Sequence, residues 1–140
     1  PAIAQKRLQR YCKFNIIELP EEKITDQETQ AQIDKTLLKE GEKILSKIGK
    51  SDYVIAMCIE GKQLSSEKLA DKISQISVDG KSTLNIVIGS SCGIADEIKE
   101  MCHFRLSMSE MTFPHQLARV MILEQIYRGF QILNGGKYHK

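Results

Sequence analysis

Apolar positions recur along this chain with two different periods. Ile33, Leu37, Gly41, Ile44 and Ile48 follow one another at helical spacing with charged residues between them, which predicts one buried stripe on a long helix. Thr25, with Glu28 following it, supplies a reciprocal capping pair for its start, and Gly49 marks its end. Tyr53 to Ile59 is instead a nearly unbroken apolar run, as expected of a strand covered on both faces. Glu60-Gly61-Lys62 reads as the turn out of that strand. Ser65 or Ser66 then caps a second helix whose inner face is Leu69, Ile73 and Ile76. Beyond a turn at Asp79-Gly80 come a second buried strand, Leu84 to Ile88, the loop Gly89 to Gly93, a short helix around Ile94 to Glu100 and a brief strand, Phe104 to Leu106.

The two ends read differently. Ile3, Leu8 and Tyr11 suggest the tail of a helix, and Lys13 to Leu19 a short strand stopped by Pro20. The last helix is expected after Pro114 and onward to about Leu133. Leu117, Val120, Met121, Leu123, Ile126, Tyr127, Phe130 and Leu133 cover well over half its circumference. So wide an apolar surface predicts that part of it packs on the sheet and part on another subunit. Strands alternating with helices give an α/β fold, a mostly parallel sheet with helices on both faces. Four strand candidates are present, with a fifth expected in a segment preceding this sequence. No repeat or long linker divides residues 1–140, so a single domain is expected.

Composition narrows the class. A chain of 140 residues with 41% apolar residues can bury one main core, which sets disorder aside. No apolar run approaches the length that spans a bilayer, and no basic-apolar-small leader opens the sequence. Cys12, Cys58, Cys92 and Cys102 are scattered without a CxxC pair, so no zinc site is expected and a cytoplasmic, reducing compartment fits best. The net charge of +2 does not by itself indicate a nucleic-acid partner. Lys6, Arg7, Arg10 and Lys13 form a basic run, Glu18 to Asp34 an acidic one; each also reads as ordinary solvated surface.

In open α/β sheets, ligands bind beyond the carboxyl ends of the strands. Three loops qualify: Met57 to Lys62, Gly89 to Gly93, and Leu106 to Arg119. The glycine loop matches neither GxxxxGK[ST] nor GxGxxG, so it is no phosphate loop. It either allows close approach of a ligand to backbone or simply makes a tight turn. In the third loop Ser107, Ser109 and Thr112 alternate with Met108, Met111 and Phe113, a mixture suited to an apolar cofactor with polar edges. His115 opens the helix after Pro114, where it can order a ligand, accept a proton or cap backbone, and Arg119 stands one turn on. The tail Tyr138-His139-Lys140 follows two glycines; it is either frayed surface or a stacking ring, an imidazole and cations folded onto RNA. No GxSxG elbow, metal-ligand spacing or glycosidase carboxylate pair is present. Chemistry that needs mainly alignment, such as methyl transfer, remains.

At this point a resemblance adds to the residues. Ile59-Glu60-Gly61-Lys62 with Ser65-Ser66-Glu67, the Ile88-Gly89 loop, Ser107 to Arg119, Glu124-Gln125 with Tyr127-Arg128, and Tyr138-His139-Lys140 occur in an order and spacing that resemble the bacterial large-subunit ribosomal RNA pseudouridine N3-methyltransferase family. That family lies within the knotted SPOUT methyltransferases. The resemblance implies a C-terminal deep trefoil knot and a homodimer acting on ribosomal RNA in the assembled ribosome, without membrane or metal. It implies S-adenosyl-L-methionine held by Met57, Gly89, Gly93, Leu106, Ser107, Met108, Ser109, Glu110, Met111 and Thr112. Tyr138 and His139 match residues near the target base, with His139 as first and His115 as second candidate base; orientation alone is an equal alternative. Arg119, Arg128 and Lys140 are the implied RNA contacts. Two departures stand out: a leading strand is lacking, and Ser90 replaces a usual glycine. A competing account is a non-catalytic ribosomal-RNA-binding protein that retained the knotted fold.

Overall fold

A computed structural model describes residues 12–19, 29–90 and 93–135. The helix tail expected around Ile3 to Tyr11 lies outside them. Three strands form the framework: β1 (Tyr53–Gln63), β2 (Leu84–Val87) and β3 (Phe104–Ser107), in the order β2-β1-β3 with both pairings parallel. Helix α1 (Gln30–Leu45) precedes β1, α2 (Ser66–Val78) joins β1 to β2, α3 (Asp96–Met101) joins β2 to β3, and α4 (His115–Leu133) ends the described chain.

The central strand shows why both of its faces are apolar. Successive side chains alternate across a sheet. Val54 and Ala56 therefore face Val87, Ile94, Ala95 and Ile98, with Leu37, Ile44, Leu45 and Ile48 packed behind. Ile55 faces the other way, onto Leu69, Ile73, Ile76, Leu106 and Ile122. Helices α1 and α3 thus cover one face, α2 and α4 the other. Val54, Ile55 and Ala56 are completely buried. Each such Val or Ile contributes about 1.5–3 kcal/mol by leaving water. None of the described helices is long and apolar enough to cross a membrane.

Helix ends follow their local chemistry. Helix α1 is capped by Thr29, whose hydroxyl accepts from Gln32 N–H while Gln32 Oε1 accepts from Thr29 N–H at 2.8 Å. The expected pair Thr25 and Glu28 lies outside the described residues, and the same pattern one turn later caps the helix. The helix also stops earlier than Gly49. Ser46 Oγ donates to Lys43 O at 2.6 Å, and Lys47 and Ile48 N–H reach back only three residues, which tightens the last turn. Ser65 caps α2 through Lys68 N–H at 3.1 Å, as expected. Gly41 is buried because a Cβ there would lie 2.9 Å from Ala95 Cβ, so α1 crosses close to the start of α3.

Two strand expectations need correction. Residues 13–19 form no strand, and Ile17 is 60% exposed. The described sheet therefore has three strands, not four. Glu60-Gly61-Lys62 is not a turn but part of β1. Leu106 stands opposite Met57 and again opposite Lys62, so β1 bows out between them and rejoins β3 at the same residue. Gly61 makes that return possible, since a Cβ would lie 2.7 Å from the Arg105 carbonyl carbon and oxygen.

Candidate active site

Parallel pairing puts the carboxyl ends of all three strands on one edge of the sheet. Met57 near the middle of β1, Ile88 after β2 and Met108 after β3 all pack against the core cluster that contains Ile55 and Leu106. Of the three segments singled out in the sequence, the glycine loop and the loop after β3 leave the sheet at this edge, while Met57 to Lys62 is strand.

Each loop is held by its own backbone. Ser107 is 3% exposed, and its Oγ donates to Ser109 O at 2.9 Å. Ser109 Oγ in turn accepts from Met111 N–H at 3.0 Å, a hydroxyl-closed turn. That turn leaves Met111 72% exposed, with Glu110 and Thr112 exposed on either side. In the glycine loop, Ser90 N–H donates to Gly93 O at 3.2 Å and Gly93 N–H to Ser90 O at 2.9 Å. Gly93 has φ +91°, the left-handed conformation glycine tolerates. A Cβ on Gly89 would lie 2.4 Å from Gly93 O, so only glycine fits there. Ser90, the departure from the family pattern, has its hydroxyl donating to Glu40 Oε1 of α1 at 2.8 Å.

The cations stand beside this edge, each already paired. Arg119, in the second turn of α4, binds the Glu18 carboxylate, and its Nη2 donates to Gln116 Oε1 at 2.7 Å. Its Nε is buried with no partner among the described residues. Arg128 pairs with Glu124 at 2.7 Å, and Glu124 also accepts from Gln125 Nε2 at 3.1 Å. Ser66 Oγ donates to Gln125 Oε1 at 2.6 Å, which ties this chain of groups to the first turn of α2. His115 opens α4 with its Nε2 3.5 Å from Gln116 Nε2. Tyr138, His139 and Lys140 lie outside the described residues.

Several contacts had no signal in the sequence. Lys99 reaches Glu60 at 2.6 Å and, by hydrogen bonding to it, holds its carboxyl below the usual range. Burial pushes the neighbouring Cys58 thiol up, with the Glu60 charge adding to the effect. Glu18 on Arg119 and Glu40 on Ser90 link residues far apart in the chain, beyond the reach of periodicity. Among the described residues no group of three His, Cys, Asp or Glu stands together to hold a metal ion.

Comparison with known proteins bears on these loops. The profile of a family described as "Predicted SPOUT methyltransferase" matches residues 3–139. A ribosomal RNA large subunit methyltransferase H of Clostridioides difficile is 49% identical over 136 residues, 97% of this chain and 86% of the relative. Its namesake in Streptococcus uberis is 47% identical over 136 residues, 97% of this chain and 86% of the relative. That of Enterococcus faecalis is 44% identical over 135 residues, 96% of this chain and 85% of the relative.

The residues present fit S-adenosylmethionine as a bound group. Met57, Ile88 and Met108 offer an apolar wall, while Ser109, Thr112 and the glycine-loop backbone offer polar edges. With its convergent loops, a profile match spanning nearly the whole sequence and relatives close to half identical, this chain belongs to the SPOUT methyltransferase family and takes its methyl group from S-adenosylmethionine.

Proposed function

We propose that this chain, acting as a single domain in the cytoplasm, methylates N3 of a pseudouridine in large-subunit ribosomal RNA within the assembled ribosome. The observation that carries the reading is the parallel order β2-β1-β3, which sends the Gly89 loop and the Leu106 to Thr112 loop out of one edge of the sheet. The substrate follows from relatives that are named for large-subunit ribosomal RNA, at 49% and 47% identity.

The bound donor supplies a methyl already activated on a sulfonium. The protein's part is alignment. Met57, Gly89, Gly93 and Leu106 to Thr112 would hold the donor, with Met57 toward its adenine end. Transfer to N3 would release the N3 proton, which a residue of this chain would have to hold or take up. His139 is the preferred acceptor of that proton, His115 the second, and Tyr138 stacks on the target base. Arg119, Arg128 and Lys140 contact RNA phosphates; for the two arginines, phosphate would replace Glu18 and Glu124 as the anionic partner.

A C-terminal trefoil knot and a homodimer belong to the same proposal. Support for the knot is the family membership. Support for the dimer is α4, which buries Ile122 and Leu123 yet leaves Leu117 47% and Val120 40% exposed. The test is methyl transfer from isotopically labelled S-adenosylmethionine to ribosomes that lack the modification. Label recovered as N3-methylpseudouridine is expected. Ribosome binding without transfer, at saturating donor, would instead establish the non-catalytic RNA-binding account.

A further inference from the structure

The seam between α2 and α4 carries a run of polar groups that the donor loops do not use. A Cβ on Gly129 would lie 3.6 Å from Ala70 Cα, so the two helices approach closely there. One turn earlier on each helix stand Gln125 and Ser66, on the same faces, since residues four apart are neighbours on a helix surface. Ser66 Oγ donates to Gln125 Oε1 at 2.6 Å. With its oxygen turned to Ser66, the amide presents its nitrogen the other way, and Nε2 donates to Glu124 Oε2 at 3.1 Å. Glu124 in turn meets the Arg128 guanidinium side-on: Nη2 donates to Oε1 at 2.7 Å and Nε to Oε2 at 3.4 Å. Ser66 thus acts from the first turn of α2 on an ion pair of α4, 59 positions from Gln125 in sequence.

We infer that Gln125, oriented by Ser66, is a positioning residue for RNA: it fixes the Glu124 carboxylate and through it aims the Arg128 guanidinium. This rests on the reading of Arg128 as a phosphate contact. Arginine and glutamate side chains are long, and fixing them costs much rotamer freedom. A carboxylate held by Gln125 as well as by Arg128 keeps fewer rotamers, and so does the guanidinium fork bonded to it. An arginine already aimed loses less freedom when a phosphate arrives. When the phosphate takes the guanidinium, Gln125 still donates to Glu124, so the displaced carboxylate keeps a partner. The motif residues Ser66 and Gln125, which touch neither donor nor base, acquire a task in this way.

The experiment measures binding of the whole chain to ribosomes that lack the modification, by sedimentation, beside donor affinity and the transfer rate at saturating ribosomes. Arg128→Ala should weaken ribosome binding about tenfold, the span of a hydrogen bond to a charged group. Gln125→Met keeps the side chain's length without its polar atoms and should weaken binding about threefold, with Ser66→Ala in the same direction and smaller. Gln125→Glu can still accept from Ser66, so it keeps the seam tied, but it cannot donate to Glu124; it should weaken binding at least as much as Gln125→Met. Donor affinity and the saturated transfer rate should hold in all three seam variants. In an Arg128→Ala background, Gln125→Met should have a clearly smaller effect than it has alone. An equal effect there, unchanged ribosome binding in both Gln125 variants, or donor affinity and rate falling in step with it, would overturn the inference and leave the Arg128 contact standing. Undiminished binding in Arg128→Ala, or no ribosome binding by the unaltered chain, would overturn that contact and this inference with it.

Discussion

The two ends of the same sheet carry equally rich chemistry and put it to opposite uses. At the amino end, Tyr53 stacks on His103 with ring centroids 4.7 Å apart, and Lys72 Nζ lies 3.9 Å from the Phe104 ring centroid. His103 N–H donates to Val54 O at 2.8 Å, and its Nδ1 accepts from Val54 N–H at 3.0 Å. Those groups satisfy one another and pin β3 beside β1. At the carboxyl end, Gly89 packs against the Gly93 carbonyl, Gly93 faces open space, Ser109 closes a turn and Met111 stands in solvent. An imidazole, two aromatic rings and a cation look more catalytic than glycine, serine and methionine. On the proposed reading the first set is scaffold and the second is the site, and strand direction rather than residue type separates them.

Substitutions can break that comparison. The largest effect is expected at Gly89. A methyl group there collides with Gly93 O, so Gly89→Ala should cost about 1–3 kcal/mol of stability by overpacking. It should also weaken donor binding by about tenfold or more, as close backbone approach is lost. Thermal unfolding and calorimetry on the same sample check both; undiminished binding would move the donor elsewhere.

His103→Ala is the converse. It leaves the Val54 N–H unpaired beside a fully buried residue, which should cost about 1–3 kcal/mol. Donor affinity should stay as it was, and a binding loss larger than the stability loss would place His103 in the site. Met111→Ala sharpens the contrast from the other side. With Met111 72% exposed, melting should shift by less than about 0.5 kcal/mol equivalent. Binding of S-adenosylmethionine should nonetheless fall a few-fold, and equal binding would exclude Met111 from the donor loop.

The smallest effect concerns pH. Lys99 lowers the Glu60 carboxyl in the folded state, so the Glu60–Lys99 bridge adds stability above the unfolded carboxyl's pKa. That contribution disappears as pH falls through the lowered folded value. Glu60 is half exposed, so water screens the pair to below about 1 kcal/mol. The acid limb of stability should be slightly steeper in the unaltered chain than in Glu60→Gln; identical limbs would leave the bridge without a stabilising role.

Most of the fold was legible because burial writes a period into the chain. Leu69, Ile73 and Ile76, and the bare run Val54-Ile55-Ala56, are buried as their spacing requires. What escaped depends on partners distant in sequence. Lys13 to Leu19 has the apolar content of a strand but pairs with no described strand. Glu60-Gly61-Lys62 has the composition of a turn, yet Gly61 serves to let β1 pass the Arg105 carbonyl. The same limit applies to the site. Gly89, Gly93 and the Ser107 to Thr112 loop were recognisable by composition and resemblance. The holds placed on Ser90 by Glu40 and on Arg119 by Glu18 were not, since charged residues on a solvated helix or segment carry no mark of what they touch.

A crystal structure of the chain soaked with S-adenosylmethionine addresses the assignment of the two sheet ends most directly. Donor density lying against Gly89 and Gly93, enclosed by Met57 and the Leu106 to Thr112 loop, is the expected result. Density seated on Tyr53 and His103 instead, or those carboxyl-end loops packed solid with the donor excluded at saturating concentration, would contradict it.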